Sequence, residues 1–238
     1  MAKLSGPLGS KLHGKVGEVV AAKTVGGFTA IRAYQPRVKN PNTARQKNSR
    51  MRFSVASKLA ASLAQAIQIG FAKACAGASM YPRNLFVSGI VPSGTDSPIT
   101  VAGGVATVDY AKVDVSKKVG LLSVPTSAPS LDGQGNIAIS QSVPAEASQI
   151  TGGKYGFVVV LYNPVRDEII IRQTSTVAEG EFKVVVEVPG TWSGAEGHAW
   201  GFYKVVPDSM NDIATDTLPW KFPSETGASA YLGSFEIV

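Results

Sequence analysis

The chain has 238 residues, of which 44% are hydrophobic and 17% are charged, so it can build packed domains and is not a disordered polyelectrolyte. Its 23 Lys and Arg residues outnumber 17 Asp and Glu residues, which gives a formal net charge of +6. One cysteine and two histidines exclude an intramolecular disulfide and are too few to close a usual zinc site.

The positive charge is concentrated on the N-terminal side of the chain. Residues 1–58 contain twelve basic residues and one acidic residue, whereas residues 59–238 contain eleven basic and sixteen acidic residues. From Val19 to Thr95 there are eleven Lys or Arg residues and no Asp or Glu. A local excess of this size predicts a negatively charged partner.

The first predicted element is a β-hairpin. Two short β-prone segments, 17–23 and 28–34, flank a Gly26-Gly27 turn signal. The basic segment 37–40 follows between two prolines, and the residue before a proline avoids helical geometry. We therefore expect residues 37–40 to form an extended, exposed connector.

A long amphipathic helix is predicted next. Asn42 or Thr43 can cap its N-terminus, and Gln46, three residues after Thr43, is the matching partner of a capping box. Its basic residues lie in the N-terminal half, and Gly70 and Gly77 weaken its end. Residues 80–86 are expected to form a turn leading into a short packed segment.

Apolar residues recur every four positions of this helix and form one stripe, and Arg45 and Arg52 fall away from it. The stripe consists of Met51, Val55, Leu59, Leu63, Ile67 and Phe71.

From Pro92 onward the composition shifts to Ser, Thr, Gly and Asp, and β-strands are predicted to the end of the chain. Residues 98–101 and 105–110 are expected to form a second hairpin around Gly103-Gly104. Six further β-prone segments follow at the spacing of a β-sandwich: 136–140, 155–162, 168–172, 182–188, 198–205 and 228–237.

These elements predict an α+β fold that is mainly β, with an N-terminal hairpin and one long amphipathic helix before a β-sandwich. We place a basic hairpin-plus-helix region at residues 1–92, a β-hairpin and Pro/Ser-rich connector at 93–133, and the sandwich domain at 134–238. No apolar run has the length of a transmembrane helix, and none follows the first lysines as in a secretory signal.

The sequence predicts no enzyme, no cofactor and no metal site. His13 and His198 have no local motif that would pair them with a nucleophile and a carboxylate, and His198 is expected in a strand at a loop edge. Asp208, Asp212 and Asp216 lack the spacing of a calcium loop and are expected in a solvated loop. Cys75, between two alanines on an apolar helix, is expected to pack rather than react.

The candidate functional residues are the cations of the acid-free region, which could neutralise phosphates without any base-reading motif. Nearby Phe28, Tyr34 and Phe53 could stack on unpaired bases, although the phenylalanines would serve equally well in a core. An acidic protein surface, including the C-terminal half of another copy, is an alternative partner, and a merely solvated face is the third interpretation. The predicted polyanion-binding residues are Arg32, Arg37, Lys39, Arg45, Lys47, Arg50, Arg52 and Lys58.

Three N-terminal motifs together resemble an uncharacterised family found in Bacteroidota genomes and in bacteriophages of that phylum. They are Gly14-Lys15-Val16-Gly17, the Gly-Gly-Phe segment that leads to Arg32, and Asn40-Pro41-Asn42-Thr43 with Gln46 and the long helix. In the C-terminal region, runs such as 157–162 and 184–189 are similar in style to immunoglobulin or fibronectin-III sandwiches. The family has no established activity, so the resemblance implies no site residues.

The resemblance implies a non-enzymatic structural or assembly protein, expected as a multi-copy component of a bacteriophage virion. Its basic N-terminal half would contact nucleic acid or an acidic neighbouring subunit, and no membrane or small-molecule substrate is expected. The alternative is a cellular nucleic-acid-binding module whose sandwich contacts other proteins. The virion component is expected in the virion, and the cellular module is expected in the host bacterial cytoplasm.

Overall fold

The computed structural model describes most of the chain and defines fourteen strands and three α-helices within the described part. The described residues are 2–4, 14–23, 29–36, 42–78, 80–94, 96–120, 122–131, 136–145, 153–174, 177–178, 180–207 and 225–236.

A small antiparallel sheet lies at the N-terminus. Strands β3 (Val19–Lys23) and β4 (Thr29–Ala33) pair as predicted, whereas their Gly26-Gly27 connection lies outside the described residues. Sequence reasoning missed the two outer strands, β1 (Ala2–Leu4) and β2 (Gly14–Val16), which complete the order β1-β4-β3-β2. These strands are three residues long, too short to show an alternating pattern.

The predicted long helix is two helices, α1 (Ala44–Ser62) and α2 (Ala64–Cys75), separated at Leu63. Apolar residues four apart drift by about 40° at each step around a helix of 3.6 residues per turn. A straight helix would therefore rotate the stripe away from the core. Leu63 is fully buried at the break, whereas Met51 and Val55 at the start of the stripe are only half-buried.

The predicted capping box of α1 is confirmed. The Gln46 amide donates to Thr43 Oγ1 at 3.3 Å, and the Thr43 amide donates to Gln46 Oε1 at 3.2 Å. The turn expected at residues 80–86 is wrong, because Pro82–Ile90 forms α3. Proline is well suited to the first helical position, where its missing N–H leaves no bond unmade. Phe86 and Ile90 are buried, and the Phe86 ring meets the Phe71 ring edge-on.

The second predicted hairpin is present as β5 (Ile99–Ala102) and β6 (Val105–Val108). Gly103 and Gly104 both have positive φ, at 58° and 81°. A two-residue hairpin turn of this kind requires φ values that glycine adopts without steric cost.

Two four-stranded antiparallel sheets follow. The first has the order β10-β9-β13-β14 and the second has the order β11-β12-β8-β7. Each of the six predicted β segments overlaps one of their strands. The strands are β7 (Ser130–Leu131), β8 (Ile137–Ser142), β9 (Gly153–Asn163), β10 (Glu168–Thr174), β11 (Val177–Ala178), β12 (Glu181–Val186), β13 (Glu196–Pro207) and β14 (Ala230–Glu236).

The first sheet is covered on both faces. From Phe157 to Tyr162, the side chains of β9 alternate between two buried clusters. Val158, Val160 and Tyr162 pack with the helices, whereas Phe157, Val159 and Leu161 pack with the second sheet. This two-sided burial explains why the strand is a continuous apolar run instead of an alternating one.

The fold is thus mainly β, with helices, a sheet and a second sheet stacked in three layers. The helix-side core contains residues of α1, α2 and α3 together with Ile99, Val113 and Val115 and the β9 and β13 side chains. The boundaries at residues 92 and 133 and the immunoglobulin or fibronectin-III type of the sandwich stay predictions.

Candidate polyanion-binding site

The N-terminal half of α1 extends beyond the buried core. The buried residues of α1 are Ala56, Leu59 and Ala60, all in its second half. The first turn contains no acidic residue and carries Arg45 and Lys47. Cations at a helix N-terminus are unfavourable because they add to the positive end of the helix dipole. This arrangement weakens the helix start, but it concentrates positive potential there.

Three of the predicted cations share the outward side of α1. Lys58 lies three turns after Lys47 and therefore points to the same side of the helix. Arg50 lies about one turn after Lys47 and is its neighbour on the helix surface. All three side chains are exposed. Arg83, which the site prediction omitted, joins them from α3. We call Lys47, Arg50, Lys58 and Arg83 the cationic face.

Arg83 is brought to α1 by tertiary packing. Its Nη2 donates to the Ser57 carbonyl oxygen at 3.2 Å. It also lines the shallow groove formed by Arg50, Phe53 and Lys58. Arg50 and Arg83 are 33 positions apart in the sequence, and no local motif links them. The sequence feature that could have indicated Arg83 is that it lies with Arg50 in the acid-free region from Val19 to Thr95.

Phe53 is the exposed aromatic residue of this surface, with 57% of its side chain accessible. It lies between two grooves. One contains the cations of α1 and Arg83, and the other is bounded by Val87 and Val91 of α3. The expectation that Phe53 would serve equally well in the core is therefore wrong, because the described residues of α1 and α3 around it leave it largely exposed to solvent.

Arg45 and Arg52 lie on a different side of α1. Arg52 precedes the buried Ala56 by one turn, and Arg45 precedes Arg52 by two turns. Arg52 is half-buried, and its Nε is buried without a hydrogen-bond partner among the described residues. Sequence reasoning placed both arginines away from the apolar stripe, and for Arg52 this is wrong because the stripe drifts around the helix.

The remaining predicted cations are divided between the N-terminal sheet and residues outside the described part of the chain. Arg32 is exposed on β4 in the N-terminal sheet. Arg37, Lys39 and the aromatic Phe28 lie outside the described residues. The Tyr34 ring is already covered on one side, since Lys15 Nζ lies 3.6 Å from its centroid, a cation–π contact.

A separate cleft of about 340 Å³ lies between α2, α3 and residues 112–118. Lys112, Lys117 and Lys118 line it together with Asp114. Burial raises the pKa of the Asp114 carboxyl, and the Ser229 hydroxyl partly offsets this by donating to it. This cleft has mixed charge, in contrast with the cationic face.

His198 is buried in β13 rather than at a loop edge. Its ring stacks on Tyr110 at a centroid distance of 4.0 Å, and Nδ1 lies 3.0 Å from Tyr231 Oη. Burial lowers the pKa of His198, and the Glu196 carboxylate partly offsets this effect. The His198 ring therefore packs within a cluster of aromatic side chains.

Other reactive groups do not form a recognisable centre in the described part of the chain. No three His, Cys, Asp or Glu side chains there are grouped to hold a metal ion. Asp208, Asp212 and Asp216 lie outside the described residues. Cys75 is half-buried, and burial raises the pKa of its thiol, which disfavours the nucleophilic thiolate. None of the described helices has the length and apolarity needed to cross a bilayer.

Comparison with known families gives one match. A family of unknown function, DUF6266, matches residues 11–210. The chain belongs to this family. No curated protein and no solved structure matches the chain. The expectation of an uncharacterised family is therefore confirmed, whereas the Bacteroidota and bacteriophage origin and the N-terminal signature stay predictions.

Proposed function

We propose that the protein is a non-enzymatic structural and assembly protein that binds a polyanion through its cationic face. The observation that carries the proposal is the convergence of Lys47, Arg50 and Lys58 on one side of α1 with Arg83 of α3. The sequence from Val19 to Thr95 offers no acidic residue to neutralise them. A polyanion gains from such a surface by releasing its condensed counterions, and no base-specific contact is needed.

The β-sheet region supports the structural part of this proposal. If β7 to β14 are lettered A, B, C, C′, D, E, F and G, the two sheets have the orders C′-C-F-G and D-E-B-A. Immunoglobulin-type sandwiches have this arrangement. We therefore infer an immunoglobulin-type sandwich that carries α1 to α3 on its C′-C-F-G sheet and presents the cationic face from a rigid base.

The expected setting is a bacteriophage virion that contains many copies of the protein. Multiple copies suit this surface, since repeated weak contacts with one polyanion gain affinity through avidity. Co-sedimentation with assembled particles tests the setting. A protein that is found free in the host cytoplasm and absent from particles would favour the cellular nucleic-acid-binding alternative.

The binding proposal predicts that the full chain binds heparin at low salt and that affinity falls steeply as salt rises. Arg50→Glu with Lys58→Glu should weaken binding at least about tenfold, because several phosphate-like contacts are lost together. Fluorescence anisotropy with labelled heparin measures both effects. The matched control is Lys117→Glu with Lys118→Glu, which makes the same charge change at exposed positions in the separate cleft.

The control variant should bind nearly as well as the natural protein. Equal losses in the two variants would mean that net charge, and not the cationic face, drives binding. Absence of any heparin binding at low salt would overturn the proposal.

A further inference from the structure

We infer that the polyanion bound at the cationic face is a single-stranded nucleic acid, with an unpaired base stacked on Phe53. This inference rests on the proposed function and names the chemical class of its ligand. It depends on a feature that charge alone does not explain. Phe53 is a large aromatic side chain, 57% exposed, and it lines the same groove as Arg50, Lys58 and Arg83.

The surroundings of Phe53 combine the two components that single-stranded nucleic acids need. Arg50 and Lys58 line the first groove, and Arg83 lines both grooves, so these three cations can supply positive charge for the phosphates. The second groove also contains Val87 and Val91, which offer apolar contact to a base. Proteins that bind single strands without sequence preference pair a cationic track with an aromatic stacking surface in this way.

A hydrogen bond orients the Arg83 side chain before any ligand binds. The hydrogen bond from Nη2 to the Ser57 carbonyl oxygen fixes its guanidinium beside α1, one turn from Phe53. The guanidinium retains further N–H donors that can contact a phosphate. A guanidinium fixed before binding loses little side-chain entropy when the ligand arrives.

Polar groups complete the lining of the two grooves. Ser49, Ser54 and Ser57 line the first groove, and Asn84 and Ser88 line the second. Hydroxyl and amide groups of this kind commonly contact phosphate and sugar oxygens. A purely apolar protein ligand would remove water from these polar groups and from the adjacent cations without giving them new partners, which disfavours it. A duplex keeps its bases stacked within the helix, so it would use the charges but not the ring.

The test compares three probes on the full-length protein at one salt concentration: a 20-nucleotide oligothymidylate, a 20-base-pair duplex and heparin. The natural protein should prefer the single strand to the duplex. Phe53→Ala should weaken single-strand binding about tenfold, since stacking on one aromatic residue contributes about 1–3 kcal/mol. Heparin binding should change less than about twofold, because heparin has no base to stack.

Phe53→Leu keeps apolar bulk but removes the aromatic ring, and it should lose nearly as much single-strand affinity as Phe53→Ala. Phe53 is exposed to solvent in the natural protein, so neither variant should unfold. Circular dichroism and a thermal melt establish that the variants are folded.

Three outcomes overturn the inference while leaving the proposed function intact. The first is equal loss of single-strand and heparin affinity in Phe53→Ala. The second is full retention of single-strand affinity in Phe53→Leu. The third is loss of self-association in size-exclusion chromatography with no loss of oligonucleotide binding, which would assign Phe53 to a protein contact. A natural protein that binds none of the three probes overturns the inference and the proposed function together.

Discussion

Gly70 sits where α2 makes its closest contact with the segment that follows the second hairpin. A Cβ built at this position would lie 2.6 Å from Ser116 Cβ and 2.7 Å from Ser116 Cα. The Gly70 carbonyl also accepts a hydrogen bond from the Lys117 amide at 3.1 Å. The glycine that weakens the helix by intrinsic propensity is thus the residue that lets the helix approach this segment.

Gly70→Ala should therefore destabilise the protein by about 1–3 kcal/mol, the usual cost of overpacking a close contact. Chemical denaturation followed by circular dichroism measures the change. Gly89→Ala is the matched control in α3, where an added Cβ meets no atom within 4 Å. That variant should be neutral or more stable by up to about 1 kcal/mol, because alanine is the better helix former. Equal destabilisation in both variants would contradict the close-contact explanation.

Lys204 is a residue whose charge opposes folding. It is buried in β13, and burial lowers the pKa of its ammonium from 10.5 to about 8. Between these two values the unfolded chain binds more protons than the folded chain, so the free energy of unfolding should rise as pH increases from about 8 to 10. Below pH 8 the lysine is charged in both states, and its desolvation cost is fully present.

Lys204→Met should raise the free energy of unfolding at pH 7 by on the order of 3 kcal/mol, given the shift from 10.5 to about 8 and about 1.4 kcal/mol per pKa unit. It should also remove the rise between pH 8 and 10. Denaturant titrations at pH 7, 8, 9 and 10 measure both effects as differences from the natural protein. Lys118→Met, at an exposed position, should leave stability and its pH dependence nearly unchanged. A Lys204→Met protein that is less stable at pH 7 would contradict this account.

At the scale of single elements, α1 and β9 show that the neighbours of a helix or strand determine which of its faces are buried. The stripe of α1 drifts around the helix, so its first half is left without a buried face and becomes available for the cationic face. In β9 the apolar run is continuous because both faces are covered. An apolar run predicts burial, but its neighbours determine which faces are buried.

At the scale of the whole molecule, the helices protect the β-sheet region. Val158, Val160, Trp200 and Phe202 form part of the core shared with α1, α2 and α3. These four side chains are all at most 1% exposed. Removing the helices would expose an apolar sheet face, and large exposed apolar patches promote association.

A fragment containing residues 122–238, which keeps all eight strands of the two sheets, should therefore self-associate or bind a hydrophobic dye, whereas the full chain should do neither to a comparable extent. Size-exclusion chromatography with light scattering and dye fluorescence measure these properties. Replacing Val158 and Val160 with threonine in the fragment should reduce both, because this change makes the exposed face more polar. A monodisperse natural fragment that unfolds cooperatively and binds no dye would show that the sandwich is independent of the helices.

The sequence by itself determined the features that depend on near neighbours along the chain. The Thr43–Gln46 capping box, the Gly103-Gly104 turn and the alternation in β8 and β12 all arise from residues a few positions apart. The charge asymmetry is likewise a property of composition, and it correctly directed attention to Lys47, Arg50 and Lys58 as a group of exposed cations.

Only the tertiary structure decided which of these cations lie near one another. Arg83 joins α1 through a hydrogen bond across 26 positions, Arg52 turns toward the core, and Phe53 is left exposed between two helices. The break at Leu63 and the two-sided burial of β9 depend in the same way on distant elements. Such contacts are set by packing between segments far apart in the chain, and local propensity contains no information about where those segments meet.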